Sequence, residues 1–121
     1  MKTNKALAAA LAALACACAP AAWAHARLQA STPKADTVVS PAPAQVRLQF
    51  NEPLEAPFSK LRLVDEGGAV VEPAKTAVDA ADPKALVGTL PALHSGAWRV
   101  QWSTVTRDGH KVKGEFGFRV K

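Results

Sequence analysis

The stretch AWRVQWSTVTRDGHKVKGEFGFRV, residues 97–120, decides the fold of this protein. Its first part alternates apolar and polar residues from Trp98 to Trp102, and its last part does the same from Phe116 to Val120. A period of two is typical of strands that bury one face. The stretch therefore predicts two strands, over 97–105 and 115–120, with Trp98 and Trp102 in the core and a connection over 107–114 between the strands.

Other segments of the chain show the same strand patterns, separated by residues that break helices. We predict strands over 46–50, 60–65, 70–71 and 85–90, and an edge strand near Leu28. Proline and glycine predict turns or loops between them, namely 31–36, 40–45, a loop with one helical turn over 51–59, a hairpin turn over 65–69 and a loop over 79–85. This pattern predicts an all-β domain of about seven strands, either a two-sheet sandwich or a small Greek-key barrel.

The first 24 residues have the pattern of a secretory signal peptide. Two lysines precede an apolar run over 6–19, and Ala22-Trp23-Ala24 has the small-x-small pattern that signal peptidase prefers. The run is too short to span a hydrocarbon core of about 30 Å. We therefore predict cleavage between Ala24 and His25, which leaves a single exported domain over 25–121. A membrane anchor and lipoprotein processing at Cys16 or Cys18 are the two alternatives.

Removing this leader changes the chemistry available to the chain. Both cysteines and Met1 leave with it, so the remaining domain has neither a disulfide nor a thiolate metal ligand. The formal charge falls from +5 to +3, because 13 of the 15 basic residues remain against 10 acidic residues. The basic residues are scattered, which argues against binding to nucleic acid.

Asp108 and His110 form the first candidate site. They flank Gly109 between two strong strands, and residues two apart in extended backbone point to the same side. The pair is suited to binding a metal or to general acid–base chemistry. An ordinary Asp-Gly turn with an exposed histidine is the alternative.

The predicted new N-terminus is the second candidate site. His25 would offer its imidazole and a free α-amine, and His110 and Asp108 would add another nitrogen and an oxygen. Such a tetragonal N/O set suits Cu(II), whereas Zn(II) prefers tetrahedral sites. Glu52 is a candidate outer ligand or cap, and His94 is expected to be a solvated loop histidine. Neither a Ser-His-Asp arrangement nor a glycine-rich phosphate loop can be found in the sequence.

These motifs, in this order, resemble the CopC family of periplasmic copper-binding proteins. The resemblance rests on His25 followed by STP at 31–33, on FNEPL at 50–54, and on the closing segment from Trp102 through Asp-Gly-His to Val120. It implies a cupredoxin-like or immunoglobulin-like Greek-key fold. It also implies a Cu(II) site made by the mature N-terminal His, the Asp and His of the turn and, in some members, a Glu, which become His25, Asp108, His110 and Glu52.

The resemblance also implies a role for the protein. We expect a periplasmic, monomeric, non-enzymatic protein that binds one Cu(II) and stores it, buffers it or delivers it to an inner-membrane copper importer of the CopD type. Some family members carry a Cu(I) site in a Met-rich loop, but residues 65–86 here lack Met and His, so no Cu(I) site is expected. The alternatives are a copper monooxygenase with a histidine brace and a metal-free immunoglobulin-like scaffold.

Overall fold

The computed structural model of the protein describes residues 27–121, so the predicted leader and His25 lie outside the described residues. Within this range the chain forms nine strands and one 3-10 turn, Ala56–Phe58. The strands are β1 Leu28–Thr32, β2 Val38–Val39, β3 Gln45–Phe50, β4 Lys60–Asp65, β5 Val70–Val71, β6 Lys75–Asp79, β7 Asp82–Thr89, β8 Gly96–Val105 and β9 Lys111–Val120.

The strands form two sheets that pack face to face. One sheet has the order β1-β3-β7-β6, and the other has the order β2-β9-β8-β4-β5. All neighbouring strands are antiparallel except β2 and β9, which are parallel. The predicted all-β class is confirmed, and the described sheets form a sandwich and not a closed barrel. No helix among residues 27–121 is long and apolar enough to cross a bilayer.

The core lies between the two sheets and contains the residues that the alternation predicts to point inward. Trp98 is 2% exposed, as predicted, whereas Trp102 is half-buried at the edge of the core. The Trp102 ring contacts Phe50 and Phe116, with ring centroids 6.3 and 6.0 Å apart. Other fully buried apolar residues of the core include Val46, Leu48, Leu63, Leu86 and Val100.

The prediction of a loop over 79–85 is wrong. Strand β6 ends at Asp79 and β7 begins at Asp82, so only two residues connect them. Each aspartate accepts a backbone N–H two residues further on, from Ala81 at 2.9 Å and from Lys84 at 3.0 Å. The carboxylates therefore stabilise a tight turn in a segment whose composition is also typical of a longer loop.

The sequence did not predict strand β6, strand β2 or the first residues of strand β9. Strand β6 has no clear alternation of buried and exposed residues, since four of its five positions are half-buried. Strand β2 is only two residues long and is defined by its pairing with the end of β9. Strand β9 begins at Lys111 and not at residue 115, because its pairing with β8 continues to Val105. The connection between β8 and β9 therefore shrinks to residues 106–110.

Candidate metal centre

A tight hairpin turn joins β8 to β9 and carries the Asp-Gly-His motif. The Thr106 N–H donates to the His110 carbonyl at 2.9 Å, and the Gly109 N–H donates to the Thr106 carbonyl at 2.9 Å. Gly109 has a φ of +91°, a backbone conformation that side chains disfavour and that explains the glycine here.

This turn brings Asp108 and His110 together. The Nδ1 atom of His110 lies 3.0 Å from Oδ2 of Asp108, and the two side chains are 50% and 51% exposed. We predicted from the sequence that extended backbone would place the two side chains on one side, but residues 107–109 form a turn and a bend. A nitrogen and an oxygen are thus held side by side at the surface, where an ion or a proton can lie between them.

Thr106 positions both members of this pair and was missed by the sequence argument. It is 1% exposed, and its hydroxyl donates to Oδ1 of Asp108 while it accepts the backbone N–H of His110 at 3.2 Å. This hydroxyl is the largest cause of a lowered pKa of Asp108, and the contact with His110 lowers that pKa further. A carboxylate that stays ionised is a better metal ligand. A threonine placed two residues before the Asp and four before the His is the sequence signal that could have indicated this role.

The beginning of the described chain reaches the same end of the sandwich. Arg27 and Asn51 exchange two hydrogen bonds, from the Arg27 N–H to Asn51 Oδ1 at 2.7 Å and from the Asn51 N–H to the Arg27 carbonyl at 3.2 Å. The Arg107 N–H then donates to the Pro53 carbonyl at 3.2 Å, and Leu54 forms a β-bridge with Thr106. The segment 51–54 therefore connects residue 27 to the Asp-Gly-His turn.

His25 is two residues from this anchored position and outside the described residues. Two residues span at most about 7 Å when extended. Glu52 lies half-buried in the connecting segment. Within residues 27–121, no three His, Cys, Asp or Glu side chains form a group that could hold a metal, so Glu52 does not complete such a group with Asp108 and His110.

His94 lies away from this pair, in the loop before β8, about 30 Å from the turn by strand length. Its side chain is 59% exposed, as predicted, but it has specific partners. Its Nε2 lies 3.2 Å from Oδ2 of Asp65, and its Nδ1 lies 2.8 Å from the Ser95 carbonyl. Its ring lies 4.7 Å from that of Trp98, whose indole N–H donates to the His94 carbonyl at 2.9 Å. These contacts give His94 a structural role.

Comparisons with known proteins place this chain in a family. The model of the CopC domain matches residues 28–121. Copper resistance protein C of Pseudomonas syringae pv. tomato is 39% identical over 107 residues, with 83% of each chain covered. The chain is also 31% identical over 99 residues to the copper transport protein CutJ of Bacillus subtilis, covering 81% of this chain and 18% of that protein.

A solved structure supports the same assignment. The crystal structure of PcoC, a methionine-rich copper resistance protein from Escherichia coli, matches with a TM-score of 0.70 and 36% identity, covering 81% of this chain and all of that one. The family model and the solved structure thus cover most of the described chain, and this protein belongs to the CopC family.

Proposed function

We propose that this chain is a periplasmic protein that binds one Cu(II) ion at the Asp-Gly-His turn. In this proposal residues 1–24 are a signal peptide, and cleavage frees the α-amine of His25 in the domain 25–121. The amine and imidazole of His25, the Asp108 carboxylate and the His110 imidazole bind the copper, and Glu52 of the connecting segment 51–54 is the candidate additional carboxylate. The protein is a monomer and is not an enzyme.

The observation that carries this proposal is the exposed pair at the end of the β8–β9 hairpin. His110 Nδ1 and Asp108 Oδ2 are 3.0 Å apart, and Thr106 holds both residues. The hydrogen bonds of Arg27 with Asn51 and of Arg107 with Pro53 support an approach of the N-terminus to this pair. Imidazole nitrogens, an amine and a carboxylate form the N/O set that Cu(II) favours.

Proton release is part of this chemistry. A free α-amine has a pKa of about 7.7–8.0, and the amine must lose its proton before it binds a metal. Imidazoles bind in their neutral form as well. Copper binding therefore releases protons, and the affinity is expected to fall in mild acid.

Storage, buffering or delivery of copper is the role that follows from such a site. The donors from this chain fill coordination positions, which favours holding the ion over catalytic turnover. The region of CutJ that matches this chain is a small share of a protein named for copper transport. This match supports delivery of copper to a membrane importer of the CopD type. Copper binding and copper import then belong to two separate chains.

A Cu(II) titration of the exported protein tests this proposal. We expect one equivalent to bind with a weak visible d–d band and without an intense thiolate band. Adding one alanine before His25 removes the chelating amine but leaves the fold intact, so most of the affinity is lost. His110→Ala should weaken binding as well, and Lys84→Ala on the other sheet serves as the control. Unchanged affinity with the added alanine would contradict the ligand set, and oxygen consumption with ascorbate and a polysaccharide would contradict the non-enzymatic role.

A further inference from the structure

A groove of about 630 Å³ crosses the outer face of the five-stranded sheet, and the copper site does not use it. Core-facing residues such as Leu61 alternate along these strands with exposed residues, so the groove faces away from the core. Its polar side chains come from three neighbouring strands, namely Lys60 and Arg62 of β4, Gln101 and Ser103 of β8, and Lys113 and Glu115 of β9.

Two lysines face each other across the middle of this groove. Lys60 and Lys113 are both register partners of Ser103, one on each side of β8. With strands about 4.8 Å apart, the two lysine backbones are about 10 Å apart. Both lysines are exposed, and neither forms an ion pair with any residue in the described range. Lys60, Ser103 and Lys113 therefore form one row across the strands. In this row, two ammonium groups without an ion-pair partner flank the small hydroxyl of Ser103.

The next row of the sheet, Arg62, Gln101 and Glu115, carries one positive and one negative charge. Arg62 Nε donates to Gln101 Oε1 at 2.7 Å, and Gln101 Nε2 donates to Glu115 Oε2 at 3.0 Å. Arg99 forms an ion pair with the same Glu115 carboxylate. At the β5 end of the groove, Glu72 adds a negative charge. An anion is therefore attracted to the position over Ser103 and repelled from the β5 end.

This cationic row lies close to the proposed copper turn. Lys113 lies on β9, three residues after His110 in the sequence, which corresponds to about 10 Å along a strand. Lys111 lies between them, is also exposed, and is on the same face as Lys113. A molecule that occupied the groove would thus be held beside Asp108 and His110.

We propose that this groove docks an extended acidic segment of the protein that exchanges copper with this chain. A carboxylate of the segment lies between Lys60 and Lys113 over Ser103. The identity of the partner rests on the proposed function, whereas the charge of the groove does not. The groove spans three strands, about 10 Å, and continues to Glu72 beside them, so it exceeds the size of a single small anion. It is concave, so it matches a protein segment better than a flat bilayer surface.

Binding of a fluorescein-labelled hexaglutamate peptide to the exported protein tests this inference. We expect saturable binding that shifts the amide signals of Ser103 and Lys113. The double variant Lys60→Glu/Lys113→Glu should weaken it at least about tenfold. The matched double variant Lys75→Glu/Lys84→Glu changes the net charge equally on the other sheet and should retain the affinity within about twofold. Both double variants should bind Cu(II) as the wild type does.

Four outcomes would overturn the inference. Equal weakening by both double variants would show a general effect of net charge. Inorganic phosphate that shifts the same amides as strongly as the peptide would show a small-anion site. Phosphatidylglycerol vesicles that bind the wild type but not the Lys60/Lys113 variant would show a membrane site. Wild-type protein that binds Cu(II) but not the peptide overturns the groove alone, whereas peptide binding without Cu(II) binding overturns only the proposed copper function.

Discussion

The indole of Trp102 lies directly over Gly114, its partner across the β8–β9 ladder, and a Cβ atom at Gly114 would collide with the ring. The ring also packs against Phe50 and Phe116, which restrict its movement. Gly114→Ala should therefore overpack this site and lower the free energy of unfolding by about 1–3 kcal/mol. Urea unfolding measures the change.

A matched control for this variant is Gly67→Ala. A Cβ there would lie 3.4 Å from Oδ1 of Asp65, an ordinary contact, so we expect a change within about 0.5 kcal/mol. Equal stability of the two variants would show that the Trp102 ring shifts without cost.

Thr106→Val should weaken copper binding although Thr106 is not a proposed ligand. The valine leaves the His110 N–H without its hydroxyl acceptor and Asp108 without its hydroxyl donor. Loss of such a supporting contact typically reduces metal affinity about 10–100-fold. The unsatisfied groups should also cost about 1–3 kcal/mol of stability. Competition titration with a Cu(II) chelator measures the affinity.

Thr106→Ser separates this positioning role from simple packing. Serine keeps the hydroxyl and should restore most of the affinity even if the lost methyl group reduces stability. A serine variant that binds copper as weakly as the valine variant would contradict the role of the hydroxyl.

The contact between His94 and Asp65 should make stability depend on pH. The Ser95 carbonyl and then Asp65 raise the pKa of His94, so its contribution is complete below about pH 6.5 and is lost as the pH rises through the folded-state pKa. The N–H of Ala69 and then His94 lower the pKa of Asp65, so its contribution is complete above about pH 3.9 and is lost on acidification. Both contributions are therefore present between about pH 4 and 6.5.

His94→Gln tests this dependence. Glutamine does not titrate, so the variant should be less stable than the wild type at about pH 5.5, and the difference should shrink at about pH 8. Thermal unfolding at both values measures the difference. Lys84→Gln is a control that should give the same small difference at both values, and a difference for His94→Gln that is independent of pH would contradict the contribution of the protonated imidazole.

A protein that consists of residues 25–121 should not bind Cu(I) tightly. Soft thioether and thiolate ligands select Cu(I), and the only methionine and both cysteines lie in residues 1–24. PcoC, a methionine-rich copper resistance protein, is a suitable comparison because it is rich in the thioether ligands that this domain lacks. Competition with a Cu(I)-specific chelator should leave all copper on the chelator, and retention of one Cu(I) by this protein would contradict the prediction.

The sequence predicted those parts of the fold that have strong local patterns. Alternation placed β3, β4 and the central part of β8 correctly, because each buries one complete face. It failed for β6, where four half-buried positions blur the period of two. It also failed for the first residues of β9, where Val112 is the only large apolar residue on the inward face, because the next inward position is Gly114. Those segments are strands because a neighbouring strand offers hydrogen bonds, and this information is not local.

The same limit applies to the candidate site. The Asp-Gly-His motif, its turn and the pairing of its two side chains follow from residues that are close in sequence. The role of Thr106 depends on its burial, which results from packing between the sheets. The hydrogen bond from Arg107 to Pro53 joins residues that are far apart in sequence, and no local pattern predicts it.

The amino-acid sequence by itself thus determined the strand class, the sharp turn and the donor atoms, because backbone preferences and side-chain chemistry act over a few residues. The tertiary structure decided which strands are neighbours, and so it brought Arg27, Asn51 and Arg107 to one end of the sandwich. It also placed Lys60 and Lys113 on either side of Ser103. Sheet order and register decide such neighbours, and these depend on how the whole chain buries its apolar faces.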